Sequence, residues 1–220
     1  MKLYGGRLSP FFERVVLAVK VKGIADKVDL AGVPGDGTRS PEYLAINPIG
    51  RIPALDVDGR VLPESQCIIE YLDEAHPTSP ALLPDAPWQA AQTRLLCRLA
   101  DLYVAPVLVK FFGFAGERTF SGAPVDEAKA DLAAALDNLE HYIEPGTHAV
   151  GDDWTAADCA LIPMVFYLTR LGAMFGFNPF DGRPKLTGWH KAAMATDLGA
   201  ESDAAMQTAL NEYMAQQSAA

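Results

Sequence analysis

Asn47-Pro48-Ile49-Gly50-Arg51-Ile52-Pro53-Ala54-Leu55 sets the strictest condition on how this chain folds. Its second proline leads straight into an apolar run. A proline has no N–H to give a sheet, so the chain must enter the next strand from a bend. A cis Ile52–Pro53 bond would point the N–H and C=O of Ile52 out of the sheet edge, where an extended peptide can pair with them as an added strand. A hairpin follows: Ala54 to Val57, the turn Asp58-Gly59, then Arg60 to Leu62. Pro63-Glu64-Ser65 then precede an amphipathic helix whose first N–H groups suit a carboxylate. One short segment thus offers a backbone clamp and, one hairpin later, an anion site.

The elements before this stretch read as β-α-β and a short helix. Lys2-Leu3-Tyr4 is a strand, and Gly5-Gly6-Arg7-Leu8 a loop. Ser9-Pro10 opens a helix, since Ser is a strong N-cap and Pro a favoured first residue. Phe12, Val15, Val16 and Val19 recur at helical spacing until Gly23. Val28 to Leu30 is the next strand, and Pro41 to Ile46 a turn or two of helix. With the hairpin and a helix over 65–75 (inner face Ile68, Tyr71, Leu72 and Ala75), the order predicts a small mixed sheet with helices on it, a thioredoxin-like domain over 1–76.

Pro77, Pro80, Pro84 and Pro87 forbid a continuous helix, so 77–87 is the predicted linker. Beyond it, 88–220 reads as an all-helical bundle: Trp88 to Phe114, kinked at Pro106; Val125 to Tyr142; Ala156 to Leu171; Lys185 to Ala195; and Asp203 to Ala215. The fold class is therefore α/β plus all-α. Thr155 and Asp158 have capping-box spacing, and the helix they open is apolar nearly all round, the expected centre of the bundle.

Charge and composition exclude several classes. Net charge is −10 with no run of Lys or Arg, which disfavours nucleic acid and anionic membrane as partners. No apolar stretch looks long enough to span a bilayer, and no signal peptide is read. Cys67, Cys97 and Cys159 are odd in number and far apart, consistent with reduced, buried thiols in a cytoplasmic protein. His76, His141, His148 and His190 lack metal-ligand spacing, so no metal is expected.

Asn-Pro-x-Gly-Arg-Ile-Pro-Ala-Leu followed by Pro-Glu-Ser resembles the thioredoxin-like half of a cytosolic glutathione transferase. Gly151-x-x-x-Thr155-x-Ala157-Asp158 resembles the capping signature of that family's helical half, so the resemblance covers nearly the whole chain. Leu8-Ser9-Pro10-Phe11 is similar to the Ser-type members, related to the zeta, tau and phi classes, whose serine bonds the sulfur of glutathione. The resemblance implies Ser9 as the catalytic residue and glutathione as co-substrate. It implies Glu64 and Ser65 at the γ-glutamyl end and Ile52, with Pro53, at the cysteinyl unit. Arg51 or Arg39 would reach the glycyl carboxylate, a solvated charge being the other reading of each. A homodimer is implied by resemblance alone.

The residues support the same chemistry. A thiol attacks only as thiolate, and a hydroxyl at a helix start lies beside N–H groups and the positive end of the dipole. One hydrogen bond to a charged acceptor is worth about 1.5–3 kcal/mol, enough to lower a thiol pKa by roughly one to two. Arg14, on the same helix, reads as a surface charge, with added positive potential at the site as the other reading. A cysteine at position 9 would have favoured mixed-disulfide chemistry. Zeta-like isomerases usually carry a second serine and a cysteine nearby, which this loop lacks.

Phe11, Tyr103, Val107, Phe111 and Phe112 are candidates for a hydrophobic acceptor wall, with core packing the competing reading of such a stripe. The expected function is transfer of glutathione to a hydrophobic electrophile. A glutathione-dependent isomerase, dehalogenase or ether-cleaving enzyme is the alternative, and a non-catalytic scaffold of the same fold the reading from a different class.

Overall fold

A computed structural model describes residues 1–219. Contacts within the chain divide it into two units, one of Met1–Leu83 with the segment from Ala200 onward, the other of Pro84–Gly199.

The first unit is built on a four-stranded sheet of order β2-β1-β3-β4, with β1 Lys2–Tyr4, β2 Asp29–Ala31, β3 Ala54–Val57 and β4 Arg60–Pro63. β1 pairs parallel with β2 and antiparallel with β3, and β3 pairs antiparallel with β4. Leu3 faces Leu55 across the β1–β3 ladder, and both are fully buried. Asp58 and Gly59 both take positive φ, 52° and 83°, as the tight turn between right-twisted strands requires. The second strand lies one residue later than the pattern over 28–30 suggests.

Helices α1 (Pro10–Val21) and α3 (Ser65–Ala75) pack against each other, with α2 (Pro41–Ile46) between them in the chain. α1 buries Phe12, Val15, Val16 and Val19, the residues that carried its period. In α3 the buried apolar residues are Ile68, Ile69 and Leu72; Tyr71 is half-buried and Ala75 exposed, unlike the inner face expected.

The linker does not hang loose. Lys22, at the end of α1, buries its ammonium and donates to Asp73 Oδ1 at 2.7 Å and to the Pro80 carbonyl at 3.0 Å. Asp73 also accepts the N–H groups of Leu82, at 2.9 Å, and Leu83, at 3.1 Å. This is why residues through Leu83 stay with the first unit, past the expected boundary at 76. Asp73→Ala would strand the buried Lys22 charge and two N–H donors, a loss of about 3 kcal/mol measurable by chemical unfolding. A midpoint unchanged from wild type would show the network to be neutral.

The second unit is helical: α4 Pro87–Leu99, α5 Ala105–Gly116, α6 Ala123–Tyr142, α7 Ala156–Phe175 and α8 Pro184–Met194. Instead of a simple kink at Pro106, a π turn over Ala100–Val104 joins α4 to α5, with the Ala105 N–H reaching back to the Ala100 carbonyl. Pro106 cannot donate to Leu102, the carbonyl one turn behind it, and the wider turn accommodates the ring. α7 runs four residues past the expected end at Leu171, and Pro163 stands within it. It is long and apolar enough to cross a membrane by length and composition, contrary to the sequence expectation, yet 78% of its apolar window is buried. Such burial marks the core helix of a bundle.

The capping box at Thr155 and Asp158 is present. Asp158 does more than cap. Its Oδ1 accepts the Ala149 N–H and the Trp189 indole N–H, each at 2.7 Å, and its Oδ2 accepts the Thr155 N–H and hydroxyl, each at 2.9 Å.

The last helix, α9 (Asp197–Ala219), starts six residues before the expected Asp203. From Ala200 onward it groups with the first unit, not with the helical half to which the sequence had assigned it. Glu201 and Ser202 are held by Lys20 and Glu13 of α1. Cys97 and Cys159 are buried as expected, while Cys67 is exposed.

Candidate active site

Ser9 ends an extended segment (φ −81°, ψ 122°) and caps α1, its Oγ accepting the Phe12 N–H at 3.3 Å. Pro10 takes the first helical position. The Ser9 N–H donates to the Gly6 carbonyl at 3.0 Å, which closes the loop just before the helix. The hydroxyl oxygen is engaged as an acceptor, which leaves its O–H available as a donor at the positive end of this helix.

The Asn47–Pro53 segment is held from inside. Tyr43 Oη and Asn47 Nδ2 each donate to the Arg51 carbonyl at 2.7 Å. Asn47 Oδ1 accepts the Ile49 N–H at 3.2 Å. Burial pushes the Tyr43 phenol up, against a smaller pull down from Asn47. These bonds fix the backbone one residue before Ile52, and the Ile52–Pro53 bond is cis. Gly50 sits at φ 64°, where a Cβ would come within 2.9 Å of the Arg39 guanidinium and 3.0 Å of the Thr38 carbonyl. The positive φ favours glycine there, and a side chain would press on the Thr38 carbonyl and push the Arg39 guanidinium aside.

The third part is the start of α3. Ser65 is its first helical residue, not its cap; Glu64 precedes it at φ 70°, ψ 110°, and no side chain caps the helix. The first N–H groups therefore have no side-chain acceptor competing for them. Positive φ at a non-glycine residue is uncommon and concentrates at functional sites. Arg14 is fully buried, correcting the surface reading. It stacks 5.1 Å from the Phe11 ring centroid, and its Nη1 lies 3.5 Å from Ser65 Oγ. A buried guanidinium beside a helix start adds to the positive potential there.

Ser9, Phe11, Arg39, Arg51, Ile52, Pro53, Glu64 and Ser65 line one cavity of ≈ 610 Å³, within the usual range for small-molecule sites. Thr38, Asn47, Ile49, Gly50 and Pro63 complete the lining. Sequence reasoning missed Tyr43 and Asn47 as supports of the clamp. Asn before Pro in the motif was the available signal; nothing local marked Tyr43.

The acceptor candidates separate. Phe11 lines the cavity, while Tyr103 and Phe112 are 50% and 39% exposed. Phe111 is fully buried, its ring against Phe114, Phe175 and Phe177, and Val107 is also buried. Both pack the helical core, because the 3.6 period that places an aromatic stripe toward a wall places its neighbours toward the bundle. Among the described residues no three His, Cys, Asp or Glu side chains gather as metal ligands.

Residues 3–80 match the glutathione S-transferase N-terminal domain and residues 122–192 the glutathione S-transferase C-terminal domain. Maleylacetoacetate isomerase of Pseudomonas aeruginosa is 32% identical over 223 residues, 94% of each chain. The chain belongs to the glutathione S-transferase family. Among solved structures it resembles a bacterial zeta-class maleylpyruvate isomerase, with TM-score 0.75 and 26% identity over 93% of this chain and 98% of that one. It also resembles a maleylacetoacetate isomerase from Methylobacterium extorquens solved with malonate and glutathione, with TM-score 0.71 and 29% identity over 92% and 96% of the two chains. The thioredoxin-like sheet with its helices and the helical domain are those of a glutathione S-transferase.

Proposed function

We propose that this glutathione S-transferase binds glutathione in the Ser9 cavity and activates its thiol for attack on a hydrophobic electrophile. One observation carries the reading: a single cavity joins a hydroxyl at one helix start, a backbone clamp at Ile52, and an uncapped helix start at Ser65 beside a buried arginine. These suit, in order, a thiol, a peptide unit and a carboxylate. Ser65 and the first N–H groups of α3 would hold the γ-glutamyl carboxylate and Glu64 its ammonium. Ile52 would pair with the cysteinyl backbone, Pro53 setting its approach, and Arg39 or Arg51 would meet the glycyl carboxylate. Ser9 would donate to the sulfur and favour its ionised form.

The direct test is an ultraviolet titration of glutathione into the protein. A thiolate band near neutral pH is expected. Binding without the band would point to a carrier, and no binding to a scaffold. Ser65→Ala should raise the glutathione KM several-fold more than it lowers kcat, since it removes a contact equal in ground and transition states. The reverse pattern would move the γ-glutamyl site elsewhere.

A second reading is favoured by the isomerases among the relatives. The same thiolate can add to an activated carbon–carbon double bond; rotation and elimination then return the isomer and the thiolate. Stoichiometric loss of glutathione separates transfer from isomerisation, which consumes none. A cytoplasmic homodimer completes the proposal. The 79% exposed Trp88 on α4 is the kind of residue a second subunit covers, and sedimentation at micromolar concentration tests it.

A further inference from the structure

Glu13 is buried in the first turn of α1, four residues after Ser9, with a side chain 1% exposed. Arg7 Nη1 donates to both of its carboxylate oxygens, at 3.1 and 3.2 Å. On its other side the Ser202 hydroxyl donates to Oε1 at 2.8 Å. Ser202 is itself fully buried and lies on α9, 189 positions along the chain. The second contact between the same two helices, Lys20 with Glu201 at 2.6 Å, is exposed.

An ionisable side chain is a costly way to fill a buried position, and an apolar residue of similar volume is often as stable or more so. What Glu13 supplies is direction. Arg7 sits in the loop two residues before Ser9, and one of its guanidinium nitrogens is shared between both oxygens of the Glu13 carboxylate, which ties the loop to α1 by a charge-assisted contact. The carboxylate is held in turn by the Ser202 hydroxyl. The loop that carries Ser9 therefore takes its position from a residue near the end of the chain.

We propose that Ser202, acting through Glu13 and Arg7, positions the Ser9 loop, so that the last helix sets the aim of the activating hydroxyl. These are positioning residues, and the inference rests on the reading of Ser9 as the thiol-activating group. Without Ser202 the carboxylate keeps Arg7 as its one hydrogen-bond donor, with Lys20 acting only as a nearby charge, and it can turn, and the loop turns with it. A shift of about 1 Å in an acting group costs up to roughly 10²-fold in rate.

The test uses the full chain with glutathione as the probe: the pH titration of the bound thiolate band, glutathione affinity, and turnover of a chloronitrobenzene at saturating glutathione. Ser202→Ala should raise the apparent thiol pKa and lower turnover by roughly three- to ten-fold, with affinity little changed. Ser202→Thr, which keeps the hydroxyl, should restore both. Arg7→Ala enters the network from its part-buried end and leaves the Ser202–Glu13 hydrogen bond in place, and should act in the same direction. Glu201→Gln removes the exposed contact of the same helix; because Glu201 also lies in the field of Arg7, it should move the titration by only a small fraction of the change in Ser202→Ala. A titration unchanged in Ser202→Ala and Arg7→Ala, while Ser9→Ala abolishes the band, overturns the positioning role alone. So does an equal change in Glu201→Gln, which would mean general anchoring of the helix. A band that persists in Ser9→Ala removes the underlying reading and this inference with it.

Discussion

Ser9→Ala should leave the fold intact, keep glutathione binding within a few-fold, and cut conjugation by roughly ten-fold or more. The size follows from the bond removed. A hydrogen bond to a charged acceptor contributes about 1.5–3 kcal/mol, and each 1.4 kcal/mol is about a factor of ten in ionisation. Affinity changes less, because the contacts proposed at Ile52 and at the start of α3 do not use the hydroxyl. Ser9 also caps α1 through the Phe12 N–H, so the variant loses about 1 kcal/mol of stability as well. The two effects separate experimentally: the thiolate band and kcat at saturating glutathione report the first, an unfolding curve the second. Turnover equal to wild type would remove Ser9 from the mechanism, however stable the variant.

The largest loss of stability is expected from Asp158→Ala. That carboxylate is fully buried and accepts from the Ala149 and Thr155 N–H groups, the Thr155 hydroxyl and the Trp189 indole. Burial pushes the carboxyl up from its ordinary value, and those four hydrogen bonds pull it back. Deleting it leaves three N–H donors without an acceptor, two of them on elements the carboxylate ties to α7: the 149 loop and Trp189 of α8. At about 1–3 kcal/mol for each stranded donor, the loss is about 4–5 kcal/mol, a large fraction of a typical folding free energy. Asp158→Asn keeps one acceptor oxygen and should lose about half as much. Chemical unfolding of the two variants measures both. If Asp158→Ala cost no more than the roughly 1 kcal/mol of a lost cap, the wider network would be idle.

Much of the first unit was legible because its signals are local. Ser9-Pro10 announces a helix start, Asp58-Gly59 a tight turn, and Pro53 a bend into β3, and each requires only its own dihedral preferences. Part of the cavity lining was legible the same way, since Ser9 and Ser65 stand at helix starts, where unpaired backbone groups remain; Ile52, Arg39, Arg51 and Glu64 were expected from the family resemblance. Readings failed where the deciding partner was distant. Arg14 lies on a helix face that the sequence leaves ambiguous, and its contact with Ser65 of α3, 51 positions away, belongs to the tertiary packing. Cys67 and Phe111 were misplaced for the converse reason, since a helix shows its period but not which of its neighbours covers which side. The π turn escaped because Pro106 predicts a defect and not its form.

Local sequence sufficed for the order of elements, the bend at Pro53 and the caps at Ser9 and Thr155, which follow from backbone sterics and short-range hydrogen bonding. The residues of the cavity were expected from the family resemblance. Tertiary structure alone decided that Asp73 holds the linker, that Tyr43 and Asn47 share the Arg51 carbonyl, and that Ser202 meets Glu13 across 189 positions. Buried polar groups must find partners, and which partner is near depends on how the helices and strands pack, information that no window of neighbouring residues contains.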